Sequence, residues 1–369
     1  MLKTYKYRIY PNKKQEIILL STLNSCRFLY NSALEQRKTT YTQHKKSLNY
    51  YGQSGELPYI KELLPEYSLI YSQVLQNVLR RVDKSFQNFF RRLKTKEKAG
   101  YPRFQNIDRY NSFTYPQNGF SLLSNKLKLS KIGTINIKLH REIQGVIKTC
   151  TIKREVNKWY VCFSCEVETK ELPKTQEIIG VDVGLEKFAT LSNGIQIDNP
   201  RFFRKSEKKL AHEQHILSRK KKGSNSRAKQ KNKVAVIYIK VKNQRKDFLH
   251  KTSRNIVNNY DLIVFEKLNI NNMIKNHHLA KSISDAGWST FMNFTSYKAE
   301  CAGKKVLFVN PKNTSQICSG CGLIVKKNLS VRMHNCLGCG LNINRDVNAA
   351  INILRLGTSH DGAMALAKR

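Results

Sequence analysis

Apolar residues recur along the first third of the chain with two different periods. Residues 3–10 alternate, with Tyr5, Tyr7 and Ile9 on one face, and predict a strand that Pro11 ends. Asn12 and Gln15 have the spacing of a capping box. From there Leu19, Leu23, Cys26, Tyr30 and Ala33 share one helical face, which predicts a helix to about residue 36. Residues 40–68 read as a polar connection. A second helix, near 72–93, carries Leu75, Val78, Val82, Phe86 and Phe89 as its apolar stripe. Arg80, Arg81, Lys84, Arg91 and Arg92 lie largely off that stripe, and are the expected phosphate-contacting face.

Gly and Pro punctuate a basic run at 94–104 and mark a boundary. Beyond it the period becomes two. Strands are expected at 112–115, 127–129, 134–139, 146–153 and 158–167, a series that suggests a small barrel. On the last of these, Cys162 and Cys165 point to opposite faces, so this C-x-x-C is not expected to chelate.

After a short linker at 172–175 comes a buried-type strand, 178–184, interrupted by one acid, Asp182. A hairpin follows over 187–194. Residues 199–260 read as two basic helices hinged at 219–224. The second helix has Val234, Ile237, Val241, Phe248 and Ile256 on one side, with Lys240, Lys246, Lys251 and Arg254 on the other. An apolar strand at 261–266 ends in Glu266, and Asp261 at its start reads as a turn residue. A loop at 273–283 carries His277 and His278 as polar groups rather than ligands. A helix at 288–301 and a strand at 304–309 complete a strand–hairpin–helix–strand–helix order, which implies an α/β domain with a mixed sheet.

Charge narrows the partner. The 369 residues hold 66 Lys and Arg against 26 Asp and Glu, a net charge of +40, spread from Lys3 to Arg369. Such a field binds polyanions, and its spread suits a folded RNA together with DNA better than one short duplex contact. No apolar run approaches the ~20 residues of a membrane-spanning helix. With no lipid-anchor motif or signal peptide, the expected location is the cytoplasm, with action at the nucleoid.

The nine cysteines are an odd number, which disfavours a disulfide framework. Four of them, Cys318, Cys321, Cys336 and Cys339, form two C-x-x-C knuckles fourteen residues apart, the pattern of one tetrahedral structural Zn²⁺. His334 is an alternative ligand, but four thiolates already close the site. Directly after the second knuckle, Asp346 opens a short apolar helix. Asp182, Glu266 and Asp346 thus each belong to or border an apolar element. A buried carboxylate needs a partner, and three converging carboxylates suit two Mg²⁺ ions that activate water and stabilise a leaving oxygen in phosphodiester hydrolysis.

These motifs resemble those of TnpB, the OrfB-type transposon-encoded family of RNA-guided DNA endonucleases, often called transposases and similar to type V CRISPR effectors. The resemblance rests on I-G-V-D-V-G-L (179–185), V-F-E-K-L-N (264–269), T-S-Q-I-C-S-G-C-G (314–322) and N-R-D-V-N-A-A (344–350). Y-K-Y-R-I-Y-P-N-K-K-Q (5–15), C-R-F-L-Y-N (26–31) and G-Y-P-R-F (100–104) extend it over nearly the whole chain.

The resemblance implies a multidomain α/β protein. Residues 1–101 would be an N-terminal strand and helical, helix-turn-helix-like recognition lobe. Residues 102–173 would form a wedge-like β-barrel completed by strand 3–10. A RuvC-like, RNase H-type nuclease would occupy 174–310 and 341–369, with a zinc ribbon at 311–340. Catalytic, magnesium-binding acids would match Asp182, Glu266 and Asp346. The implied partners are a guide RNA from the transposon end and double-stranded DNA beside a short motif, with base pairing supplying the specificity. Two alternatives remain open: a nuclease-inactive RNA-guided repressor, and a transposase acting on transposon-end DNA. Arg80, Arg81, Lys84, Arg91, Lys246 and Arg254 are the candidate nucleic-acid contacts.

Overall fold

The computed structural model describes residues 1–328 and 331–359, so the last ten positions of the predicted segment 341–369 lie outside the described residues. The chain divides into two compact units, Met1–Glu168 and Thr169–Arg369.

In the first unit, strand β1 (Leu2–Tyr10) leads into helix α1 (Lys13–His44) through the expected capping box. Asn12 Oδ1 accepts from Gln15 N–H at 2.8 Å, and Gln15 Oε1 accepts from Asn12 N–H at 3.0 Å. The helix runs well past the predicted end at 36. The stretch read as a polar connection is largely helical: α2 (Tyr50–Gly55), α3 (Leu57–Leu63) and a 3-10 turn (Pro65–Leu69) precede α4 (Ser72–Lys94).

What holds this stretch is a buried polar network that an apolar pattern does not reveal. Arg37 donates to Gln53 Oε1 at 2.7 Å and to Asp83 Oδ1 at 2.9 Å. Gln53 in turn donates to the Ala33 carbonyl at 2.8 Å. Buried polar groups are stable only when so satisfied.

Six further strands follow: β2 (Ser112–Tyr115), β3 (Phe120–Leu123), β4 (Lys126–Leu129), β5 (Gly133–Lys138), β6 (Val146–Glu155) and β7 (Lys158–Glu166). With β1 they make one antiparallel sheet in the order β2-β6-β7-β1-β5-β4-β3. Its inner face, including Tyr5, Tyr7, Ile9, Phe113, Ile135, Ile152 and Phe163, shares a single core with Leu19, Leu75, Val78 and Val82 of the helices. Cys162 and Cys165 fall on opposite faces, as the alternation requires.

The sheet is not the closed barrel expected from the strand series. Among the described residues no ladder joins edge strands β2 and β3. Each is four residues long, and Pro116 between them has no N–H to give. A side chain spans the gap instead: the Tyr115 hydroxyl donates to the Ser130 carbonyl at 3.0 Å.

The second unit is built on a mixed five-stranded sheet of β8 (Ile178–Val183), β9 (Lys187–Leu191), β10 (Gln196–Asp198), β11 (Leu262–Glu266) and β12 (Lys305–Val309), in the order β10-β9-β8-β11-β12. β8, β11 and β12 run parallel, while β9 is antiparallel to β8. Helices α5 (Phe202–Arg219) and α6 (Asn225–Asn259) flank the predicted hinge.

The predicted loop at 273–283 is instead mostly helical, with α7 (Ile270–Met273) followed by α8 (His277–Ala286). Asn276 caps α8, and Ile283 and Ala286 bury its inner side. His277 and His278 stay exposed. Helix α9 (Trp288–Cys301) leads to β12. The short strands β13 (Met333–Asn335) and β14 (Asn342–Asn344) precede α10 (Arg345–Gly357). Among the described residues no helix is long and apolar enough to cross a membrane.

Strand alternation divides this sheet between two cores. Ile179, Val181, Ile263 and Phe265 pack with Ile256 of α6 and with Phe291 and Ala299 of α9. Leu262 and Val264 face the other way, onto Ile353 of α10. Gly180 is what lets α10 lie there. A Cβ on Gly180 would sit 2.1 Å from the Ala350 carbonyl oxygen, a collision with backbone that cannot be relieved by a rotamer change.

Gly180→Ala should therefore push α10 off β8 and cost about 1–3 kcal/mol, the usual range for overpacking. Gly55→Ala, with nothing within 4 Å of its Cβ position, should shift stability by less than about 1 kcal/mol. Denaturant melts of the two variants test this contrast, and equal stability would remove Gly180 from its packing role.

Candidate active site and metal centre

The same alternation places the predicted acids. On β8, Asp182 follows Gly180 by two residues and shares its side, the side of α10. On β11, Glu266 follows Val264 by two and shares that side too. Asp346 lies in the first turn of α10 itself. All three residues are half-buried. Separated by 84 and 80 positions in sequence, they are brought to one side of one sheet.

Their electrostatics register the crowding. Burial pushes the Asp182 carboxyl well above the usual carboxylate range, and the negative charges of Glu266 and Asp346 push it further. Arg345 and the Val183 backbone only partly offset them. Burial also raises Glu266, against the hydrogen bond it accepts from the Thr314 hydroxyl. Asp346 is better provided for. Asn344 caps its helix, accepting from Asp346 N–H at 2.9 Å. The helix N-terminus favours negative charge, Arg345 Nη2 pairs with Asp346 Oδ1 at 3.2 Å, and Arg332 approaches Oδ2 at 4.0 Å. Among the described residues no lysine or arginine ion-pairs with Asp182 or Glu266. A half-buried carboxylate set with this shortage of positive charge fits hard divalent cations bound through oxygen.

The four predicted thiols come together without His334. Cys318, Cys321, Cys336 and Cys339 have their sulfurs all within 4.8 Å of one another, with Cys318–Cys339 at 3.6 Å and Cys321–Cys336 at 3.5 Å. Those distances are far beyond a ~2.05 Å disulfide bond and near the ~3.8 Å edge of a tetrahedron of ~2.3 Å Zn–S bonds. Gly322 (φ +81°) and Gly340 (φ +72°) take the left-handed turns that close each knuckle.

Burial tends to raise the Cys318 thiol, but the N–H groups of Cys321 and Gly320 and the side chains of His334 and Cys336 outweigh it, bringing it down to about 5. Cys339 goes the other way, to about 12. There the Leu341 N–H favours the thiolate, but the neighbouring thiols prevail. His334 is fully buried beside this cluster, with Nδ1 bonded to the Lys327 ammonium.

Two asparagines to which the sequence reading gave no role lock the cysteine knot to α10. Asn348 accepts from Ser319 N–H at 2.9 Å and donates to the Ile317 carbonyl at 2.8 Å. Asn352 donates to the Thr314 and Ile317 carbonyls at 2.9 and 2.7 Å. The available signal was a polar pair four residues apart on the buried stripe of an apolar helix. Thr314, the partner of Glu266, was likewise inside a quoted motif but unassigned.

The basic candidates divide. Arg81 is a correction: its guanidinium donates to the Ser112 carbonyl at 2.7 Å and to Thr114 Oγ1 at 2.9 Å, tying α4 to β2 rather than facing outward. Arg80, Lys84, Arg91, Lys246 and Arg254 are exposed, with Arg80 lying over the Tyr50 ring at 5.0 Å and Arg91 reaching Glu97 at 3.8 Å.

Comparison with known proteins identifies relatives over nearly the whole chain. Residues 162–277 match the OrfB family of IS605 type, described as "Probable transposase". Residues 288–353 match a "Cas12f1-like, TNB domain" and 1–46 a helix-turn-helix domain of the OrfB type. The chain is 33% identical over 371 residues to a Streptomyces pristinaespiralis protein named "Putative RNA-guided DNA endonuclease", covering 96% of this chain and 89% of that one. It is also 33% identical over 377 residues to the Escherichia coli K12 "Putative RNA-guided DNA endonuclease InsQ", covering 96% and 92%.

This chain belongs to the OrfB (TnpB) family.

Its fold is shared more widely. A chain from a structure titled as a Cas12f1–sgRNA–target DNA complex superposes with a TM-score of 0.60 at 14% identity, covering 96% of this chain and 98% of that one. At that identity the likeness speaks for the multidomain α/β fold alone.

Cys318→Ser should cost the protein most of its bound zinc and lower its melting temperature by on the order of 5–10 °C. Metal analysis and calorimetry measure both, and wild-type values would remove the metal from the knot.

The raised Asp182 carboxyl gives a second outcome. Its folded form holds a proton longer than the unfolded chain does, so its contribution favours folding at low pH and is lost as pH rises from about 3.9 through the folded value. In chelator at pH 8, Asp182→Asn should melt higher than wild type, and the difference should vanish near pH 3.5. Added Mg²⁺ should stabilise the wild type more than the variant. A variant that melts lower at pH 8 would contradict the crowding.

Proposed function

We propose that the chain is an RNA-guided endonuclease of a transposon that hydrolyses double-stranded DNA at Asp182, Glu266 and Asp346. The observation carrying this reading is the convergence of the three carboxylates on the α10 side of a mixed sheet, with Asp182 short of positive charge, in a chain of this family. Residues 174–310 and 341–369 serve as a RuvC-like nuclease, 311–340 as a zinc ribbon, 1–101 as the recognition lobe and 102–173 as the wedge. The guide RNA comes from the transposon end, and the target lies beside a short DNA motif. Acting on genomic DNA puts the protein in the cytoplasm of a prokaryotic cell.

The carboxylates of Asp182, Glu266 and Asp346 would hold two Mg²⁺ ions, and Cys318, Cys321, Cys336 and Cys339 one Zn²⁺. When bound, the Mg²⁺ pair supplies an activated water and a stabilised leaving oxygen. The protein's own residues do the positioning. The Thr314 hydroxyl fixes one oxygen of Glu266 and leaves the other free to ligate. Arg345 holds one oxygen of Asp346, and the Asn344 cap fixes the helix turn from which it projects. Asn348 and Asn352 set α10 against the cysteine knot, so the zinc ion is structural: with four thiolates it has no open position for chemistry.

The test is cleavage of a plasmid library carrying a guide-matched target beside a randomised flank, using protein co-expressed with RNA from its own locus. Cutting should require guide, flank and Mg²⁺. Asp182→Ala, Glu266→Ala and Asp346→Ala should each lower the cleavage rate at least about a hundredfold, the loss of several kcal/mol of metal-borne stabilisation, while guide and target binding persist. Full-rate cutting by any of the three variants refutes the site. Guide-dependent binding without cutting by the wild type makes the protein a repressor.

A further inference from the structure

The end of α4 and the segment after it form a surface that the catalytic reading leaves unused. Tyr101 folds back edge-on to Phe86 and Phe89, with ring centroids 5.7 and 5.3 Å apart. Phe90 lies 6.2 Å from Phe86 and 5.3 Å from Phe89. The return is built rather than loose. Lys96 turns the chain at φ 55°, Glu97 N–H donates to the Arg92 carbonyl at 2.9 Å, and Asn31 and Gln105 exchange hydrogen bonds of 2.9 and 2.8 Å.

Yet the outer rings face water: Phe90 is 56% exposed and Tyr101 47%, with Leu93 between them in sequence at 52%, and Phe104, three residues after Tyr101 in sequence, is 50% exposed. Around them Arg91, Arg92, Lys94, Lys96, Lys98 and Arg103 are all exposed, against Glu97 as the one acid from 91 to 103.

Apolar rings gathered at a fixed surface mark a partner site, and the charge selects a polyanion. A duplex would use the lysines and arginines and leave the rings idle, because its bases are stacked inside. Unpaired bases use both: the rings take the base faces while the cations take the phosphates.

We propose that Phe90, Tyr101 and Phe104, with the cations around them, are a stacking platform for unpaired bases of the bound RNA. The choice of RNA rests on the function proposed above. There RNA is the resident partner and DNA a transient one, and exposed rings held in a fixed position call for a resident cover.

The full chain, reconstituted with 4-thiouridine-substituted RNA from its own transposon end, should cross-link under ultraviolet light within residues 90–104. Tyr101→Ala and Phe104→Ala should each weaken that RNA about tenfold, equivalent to about 1.4 kcal/mol and in the range for one stacked base. The slope of log affinity against log salt should stay unchanged, because no phosphate contact is lost. Arg91→Gln combined with Arg92→Gln should flatten that slope by roughly 1–2, and Tyr101→Phe should bind as wild type.

The cross-link is read on unmodified protein, so it stands even if a variant folds poorly. Cross-links confined elsewhere, or wild-type RNA affinity in both folded alanine variants, overturn the platform while leaving guided cleavage intact. Weakened target DNA with unchanged RNA affinity assigns the surface to DNA and overturns it as well. A wild-type chain that retains no RNA brings down both the platform and the proposed function.

Discussion

Three acids sit on one side of one sheet, and the rest of the second unit is arranged so that they stay there. Burial first, and then the charges of Glu266 and Asp346, push the Asp182 carboxyl well above its ordinary value, so holding the three acids together costs free energy. The restraint comes from apolar contacts around them. The face of β8 and β11 opposite the acids is buried under α6 and α9 through Val181, Phe265 and Phe291, while Val264 and Ile353 seat α10 on the acids' own side. Gly180 sets the distance between the two carriers, since a methyl group there would meet the Ala350 carbonyl. The acids are thus held by residues that carry no charge, and a functional site can tolerate this local conflict because the surrounding core over-determines it.

The cysteine knot extends the same restraint. Its backbone is bonded to α10 by Asn348 and Asn352, two and six residues beyond Asp346, and the segment entering it carries Thr314, which bonds Glu266. Two of the three acids therefore touch the knot's own chain within one or two bonds. Thiols that resist sharing negative charge need a cation to close the knot. Metal occupancy and the placement of Glu266 and Asp346 become one structural question, although the knot has no open coordination position.

The acids were legible because each belongs to or borders an apolar element, where an unpaired carboxylate is costly. The thiols were legible because two-residue spacing lets both sulfurs of a knuckle reach one ion. Period-two alternation found β1, β2 and β4 to β7 for the same kind of reason, since one buried face leaves a plain pattern. The barrel it suggested is absent, because closure depends on whether two distant edges pair, and β2 and β3 do not. Prolonged helix α1 with α2 and α3 escaped because Arg37, Gln53 and Asp83 bury polar atoms there, and α8 escaped because its exposed His277 and His278 hide the inward Ile283. Arg81 shows the limit for cations. Its position off the apolar stripe is compatible with solvent, but a neighbouring strand with free acceptors claims it.

A chain of net charge +40 that keeps Asp182 and Glu266 short of positive partners holds two opposed fields. The outer one draws a polyanion in at long range and weakens with salt. The inner one repels the same phosphates at contact distance. Arg332 and Arg345 soften that repulsion only at Asp346, and Arg332 divides itself with Glu186, which it meets at 2.7 Å. Asp182 and Glu266 have no such ion pair among the described residues. Under the proposed function, binding of nucleic acid and admission of its phosphate to the acids are therefore separable: the first follows from fixed surface charge, and the second waits on divalent metal. Such a separation lets a guided nuclease remain bound along its target without cutting until the metal site is complete.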